Sequence, residues 1–213
     1  MDFQIFIENL KRELNSELPG EDAQMLMSPL GRKRHSQASK LFPNPKLSAV
    51  LIAIYPKEDV IHTLLMVRNT YKGHHSGQVS FPGGKVEETD ESLEQTALRE
   101  FQEEMGVPTN NLEIAGKLSP LIVPPSGFII HPYVGVFNAD LSLKPDKIEV
   151  ASVIKTSLDT LFNNETKSIQ LVHSSSVGIK LKAPSYIVDG NVVWGATAMI
   201  LSELEVLCKR FHF

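Results

Sequence analysis

Apolar and polar positions follow two rhythms along this chain, one with the period of a helix and one with that of a strand. Phe3, Phe6, Ile7, Leu10 and Leu14 recur every three or four residues, so 2–14 predicts an amphipathic helix; Pro and Gly then punctuate an irregular stretch up to Lys46. Residues 48–55 and 61–67 are dense in Leu, Ile, Val and Ala and flank a Pro56-Lys57-Glu58-Asp59 turn, the pattern of a β-hairpin. Leu93, Ala97, Leu98, Phe101 and Met105 return to helical spacing. Beyond them, 112–123, 127–137, 149–155, 167–172, 177–183 and 185–188 read as strands, with a short helix over 157–162 and a C-terminal helix over 194–209. Strands on both sides of one central helix, closed by a terminal helix, predict an α/β layered architecture.

The central helix carries the most informative polar pattern. Glu100, Glu103 and Glu104 stand at i, i+3 and i+4, which confines them to an arc of about 100°. Like charges at that spacing repel, so the segment is either a solvated acidic face or a site for a cation. Arg99 and the Gly83-Gly84 turn upstream favour the cation, and hard oxygen ligands suit Mg²⁺ or Mn²⁺. Asp90 is the expected N-cap, Glu91 adds charge to the first turn, and Gly106 is placed for a left-handed C-cap.

Gly84, Arg99, Glu100, Phe101, Glu103, Glu104, Gly106 and Val107 resemble the Nudix box, Gly-x5-Glu-x7-Arg-Glu-U-x-Glu-Glu-x-Gly-U with U a bulky apolar residue. The second half matches at every specified place. In the first half one residue is extra: counting forward from Gly84 reaches Asp90, counting back from Arg99 reaches Glu91, and either acid is left as the partner of Arg99. The segment 64–84, with Arg68, His75, Gly77, Gln78, Phe81, Pro82, Gly83 and Gly84, is similar to the one that marks the coenzyme A diphosphatase branch of Nudix hydrolases; 149–161 and 194–201 resemble late segments of that branch. Met66, Asn69 and Gly73 depart from it, Gly73 by replacing an Arg, with Lys72 beside it as a substitute cation.

The resemblance implies a Nudix-type α/β/α sandwich with a mixed sheet and a catalytic loop-helix. It also implies metal-dependent cleavage of coenzyme A or acyl-CoA to 3′,5′-ADP and 4′-phosphopantetheine. ADP-ribose or a dinucleotide is the alternative substrate, and a non-catalytic binding domain the alternative class. Glu100 and Glu104 are expected as direct metal ligands, Glu103 as a direct or water-mediated one, and Glu149 as an outer acid, either fourth ligand or general base. Arg99 is expected to orient the carboxylates. Gly83 and Gly84 allow both the turn and a close approach of backbone to phosphate. Arg68, Lys72, His75 and Gln78 are the substrate-side candidates. For the cations surface charge is the competing reading, for the adjacent His74 and His75 ordinary packing, and Trp194 is expected as a core anchor rather than a base-stacking platform.

Composition agrees. With 213 residues, 42% of them hydrophobic, the chain can build one good core, and we divide it into a leader over 1–46 and a Nudix domain over 47–213. A net charge of −4 without a basic stripe argues against nucleic acid; the basic run from Gly31 to His35 is expected to be a solvated loop. The single Cys208 cannot form an internal disulfide, no apolar run is long enough for a membrane span, and a cytoplasmic protein is expected, with a homodimer as the assembly to test.

Overall fold

Strand β1 (Lys46–Lys57) turns into β2 (Val60–Arg68) through Glu58 and Asp59, whose positive φ angles of 50° and 60° make the tight turn that matches strand twist. This hairpin is the centre of the computed structural model, which describes residues 1–34, 44–69, 77–174 and 178–213. Around it, β3 (Val79–Ser80) and β8 (Val150–Ser157) pair with β2, and β4 (Gly83–Lys85) pairs with β1. Strand β7 (Phe128–Val136) runs parallel to β1 and pairs antiparallel with β5 (Glu113–Lys117) and β6 (Leu121–Val123). The sheet is therefore mixed, as expected. A second, three-stranded sheet holds β9 (Lys167–Ser174), β10 (Ile179–Val188) and β11 (Asn191–Val193).

Alternation along β1 divides the core in two. Ala49, Leu51, Ala53 and Tyr55 join Leu64 and Met66 of β2 beneath Ala97, Phe101 and Met105 of helix α3 (Leu93–Met105). Ile52 and Ile54 face the other way, with Leu65, into a cluster completed by α1 (Phe3–Leu14), through Phe6 and Leu10, and by Leu201, Leu204 and Leu207 of the C-terminal helix. Helices on both faces of a mixed sheet form the α/β/α sandwich. Helix α2 (Gly20–Met25) lies within the stretch read as irregular; six residues are too few for a periodic signal. It is fixed instead by a distant acid. Glu203 of the C-terminal helix accepts from Gly20 N and Ser119 N at 3.1 and 3.2 Å and from Gln24 Nε2 at 2.8 Å.

Two predicted strand assignments change. The strand expected over 112–123 breaks between Lys117 and Leu121, where Pro120 cannot donate to a ladder. The two strands expected over 177–183 and 185–188 are the single β10, which runs through Pro184. That is possible because β11 covers only Tyr186 to Val188, so at Pro184 the strand has one neighbour, β9, and an open side. Helix α4 (Leu158–Phe162) and the C-terminal helix α5 (Gly195–Lys209) fall where expected. Among the described residues no helix is long and apolar enough to cross a membrane. Cys208 is fully buried in α5, where burial pushes its thiol pKa well up.

Candidate active site

Helix α3 opens on Ser92, whose Oγ accepts from Gln95 N at 3.1 Å, and closes on Gly106 at φ 65°. Asp90 is not the cap, and the acid of the first turn is Glu94 rather than Glu91, which lies before the cap. The extra residue in the turn frees Asp90 to fold back on the helix. There it takes Arg99 in a fork, Nε to Oδ1 at 2.9 Å and Nη2 to Oδ2 at 3.0 Å, and its Oδ2 also accepts from Thr96 Oγ1 and Glu87 N, each at 2.9 Å. The forward count from Gly84 is thus the structural one. Arg99 holds the Asp90 carboxyl far below the usual carboxylate range, and Asp90 in turn raises the Arg99 pKa.

The three glutamates face one patch at three depths. Glu103 is largely exposed, Glu100 is mostly covered, and Glu104 is 1% exposed beneath the edge of the sheet. Arg99 Nη1 lies 3.0 Å from both Glu100 Oε1 and Glu103 Oε2 and so bridges them. Glu104 Oε2 accepts from Gly83 N at 2.7 Å. Its Oε1 lies 3.3 Å from Arg68 Nη2, within ion-pair range, yet among the described residues no N–H is aligned on it, and it is a buried oxygen without a hydrogen bond. Arg68 is spent here: besides Glu104 it donates to Gly83 O at 2.7 Å and Ser80 Oγ at 3.2 Å, so it buttresses the glycine turn and the deepest acid rather than standing free at the surface. Burial, with the charges of Glu100 and Glu149 adding, pushes the Glu104 pKa up to about 8 against the opposing pull of Arg68 and Gly83 N. Burial likewise raises the Glu100 pKa, with Arg99 opposing and Glu103 and Glu149 adding.

Glu149 reaches this patch on an exposed turn held at both ends. Lys144 N and Asp146 N donate to Met105 O and Glu104 O, the last carbonyls of α3, each at 2.9 Å. On the other side Asn69 N donates to Glu149 O at 2.9 Å, and its Nδ2 to Lys147 O and Ile148 O at 2.9 and 2.8 Å. Asn69, noted above only as a departure from a pattern, is the clip that fixes the turn.

The glycines leave no spare room. A Cβ on Gly84 would lie 2.3 Å from Glu100 Oε1, and one on Gly83, at φ 151°, would lie 2.3 Å from the Ala49 carbonyl oxygen. Gly84→Ala is therefore expected to displace the Glu100 carboxylate and lower turnover by about tenfold or more while the protein stays folded, as steady-state rates beside circular dichroism will test.

A cavity of about 600 Å³ opens from Gly83, Gly84 and Arg68. Gln78, Ser126 and Trp194 line it; Trp194 is partly exposed there and precedes α5, so it is a wall of the cavity and not a core anchor. Pro124, Pro125 and Ser126 both line the cavity and join β6 to β7. Arg32 and Lys33 line it too, which corrects the expectation of a solvated basic loop for the half-buried Arg32; Lys33 and Arg34 are exposed as expected, and His35 lies outside the described residues. Lys72, His74 and His75 lie outside the described residues.

The donor set fits a hard divalent cation: oxygen donors only, three carboxylates on one patch, and a buried carboxylate oxygen with no hydrogen bond. Among the described residues no three acidic, His or Cys side chains are already gathered as a cage, because Arg99 and Arg68 hold the acids in their place.

Residues 45–173 match the NUDIX domain family. The chain is 36% identical over 150 residues, 68% of its length and 74% of the relative's, to the uncharacterized Nudix hydrolase NudL of Pectobacterium atrosepticum. It is 33% identical over 169 residues, 78% and 86% of the two chains, to the NudL of Photorhabdus laumondii. Among solved structures, a MutT/nudix family protein from Enterococcus faecalis superposes with a TM-score of 0.50 at 21% identity, over 78% of this chain and 63% of that one, a likeness of fold.

Proposed function

This chain belongs to the Nudix hydrolases, and on that premise we propose that it cleaves the pyrophosphate bond of coenzyme A or acyl-CoA, releasing 3′,5′-ADP and the 4′-phosphopantetheine half. The observation that carries the reading is a cavity of about 600 Å³ whose lining residues Gly83, Gly84 and Arg68 also contact Glu104 or lie against Glu100, a volume that takes a drug-sized organic molecule beyond the two phosphoryl groups. The branch-like segment around Arg68, Gln78 and Gly83 forms the seam between patch and cavity.

A divalent cation, Mg²⁺ or Mn²⁺, supplies charge at the phosphate oxygens when bound and lowers the pKa of water. Glu104 and Glu100 are the residues that would hold it, with Glu103 as a direct or water-mediated third. Arg99 sets the spacing of Glu100 and Glu103, and its fork to Asp90 anchors it. Gly83 N fixes Glu104 Oε2, while Oε1, 3.3 Å from Arg68 Nη2, has no hydrogen bond among the described residues. Glu149, exposed on its clipped turn, is the outer carboxylate available to take the proton of an attacking water. The Gly83-Gly84 backbone lets phosphate approach where any side chain would intrude.

The test is a substrate panel with the products separated. Coenzyme A is expected to give 3′,5′-ADP with a higher kcat/KM than ADP-ribose or a dinucleotide. Preferred cleavage of ADP-ribose would move the protein to a different Nudix activity.

A further inference from the structure

The leader folds over the cavity. Leu30 N donates to Lys182 O of β10 at 3.4 Å, and the Arg32 guanidinium donates through Nη2 to the Ile122 carbonyl of β6, so 30–32 form a wall pinned to two separate strands. Pro29, Leu30, Gly31, Arg32 and Lys33 all line the cavity that Gly83 and Gly84 line at its reaction end.

Arg32 is the unusual residue in that wall. Its Nε is buried and, among the described residues, donates to no acceptor, and burial lowers its pKa, with Glu21 opposing. A guanidinium partly withdrawn from water in a cavity wall carries a desolvation cost, which an anion beside it in the cavity would offset. The planar fork of Arg suits a phosphate. Of the cations the sequence offered for phosphate, Arg68 is occupied by Glu104, Gly83 and Ser80, which leaves it committed to the site's framework.

We propose that Arg32 binds the phosphate of the substrate that lies away from the cleaved bond, making the leader wall the element that selects among nucleoside diphosphate derivatives. This rests on the coenzyme A reading, in which that group is the 3′-phosphate. Arg32 makes no contact with the carboxylate patch among its described bonds, so it acts on substrate choice and not on the chemical step.

The experiment compares coenzyme A with its 3′-dephospho form in the wild type, Arg32→Gln and Arg32→Lys, and measures binding of 3′,5′-ADP and 5′-AMP to the same proteins by calorimetry. Arg32→Gln is expected to lose about ten- to hundred-fold in kcat/KM on coenzyme A, with kcat at saturation and all constants on the dephospho form near wild type. Arg32→Lys should recover part of the loss, and 3′,5′-ADP should weaken by a similar factor while 5′-AMP does not. Equal losses on both substrates would mean a structural role only and would overturn the proposal. A wild type that prefers coenzyme A, with the preference intact in Arg32→Gln, overturns the assignment to Arg32 alone. A wild type that cleaves coenzyme A and its dephospho form equally overturns this inference alone, whereas preferred cleavage of ADP-ribose in the substrate panel removes the coenzyme A reading with it.

Discussion

Glu104→Gln is expected to lower turnover on the order of 10²-fold or more and, in metal-free buffer, to raise the melting temperature. Both effects come from one charge. The carboxylate is 1% exposed and has an oxygen without a hydrogen bond, so its ionised form is costly until a cation arrives, and removing the charge removes both the cost and the ligand. Because the folded-state pKa, about 8, lies above that of an unfolded Glu, the group contributes stability that is complete below the ordinary Glu range. That contribution is lost as pH rises through about 8. Wild-type protein in EDTA should therefore melt lower at pH 8 than at pH 5.5 by more than Glu104→Gln does. Divalent metal at about a hundred times its Kd should then restore about 2.7 kcal/mol to the wild type, a rise of roughly 5–10 °C, and much less to the variant. Scanning calorimetry at the two pH values, with and without Mg²⁺ or Mn²⁺, measures all of this. Full activity in the variant at subsaturating metal would remove Glu104 from the site.

Asp90→Ala should be the most destabilising single change at the box. It leaves the half-buried Arg99 guanidinium without its fork and the Thr96 hydroxyl and Glu87 N–H without their shared acceptor. Removing one partner of a covered ion pair costs about 3–5 kcal/mol, or roughly 6–20 °C for a chain of this size. Turnover should fall as well, since Arg99 spaces Glu100 and Glu103. The pH dependence has the opposite sign to that of Glu104: Arg99 depresses the Asp90 pKa, so the stabilisation is present above the unfolded value, near 4, and is lost as the pH falls below it. Wild type and variant should converge in stability on acidification. A constant gap from pH 7 to pH 3 would mean that the ion pair contributes little.

Much of this was readable from residues whose local preference and tertiary role agree. The 48–55 and 61–67 runs became β1 and β2, the apolar stripe from Leu93 to Met105 became the buried face of α3, and Gly106 took the left-handed cap. Misreadings arose where a local rule was overridden at a distance. Asp90 has the chemistry of a cap, but Arg99, nine residues on, offers a stronger partner, and Ser92 takes the cap. Pro184 looks like a break until one sees that β11 ends short of it. The weight of Arg32 and Asn69 could not be seen at all, because it depends on Ile122 in one case and on the 147–149 turn in the other, both far along the chain.

The turn bearing Glu149 hangs from the last carbonyls of the same helix that carries Glu100, Glu103 and Glu104, while one wall of the cavity is a leader pinned to β6 and β10. The carboxylate patch and the proposed recognition wall are thus built from different segments of the chain, packed on the same sheet. If the wall selects substrate as proposed, substitutions in residues 29–33 would retune which molecule is accepted without a compensating change among the acids, and substrate choice could diverge faster than the reaction itself.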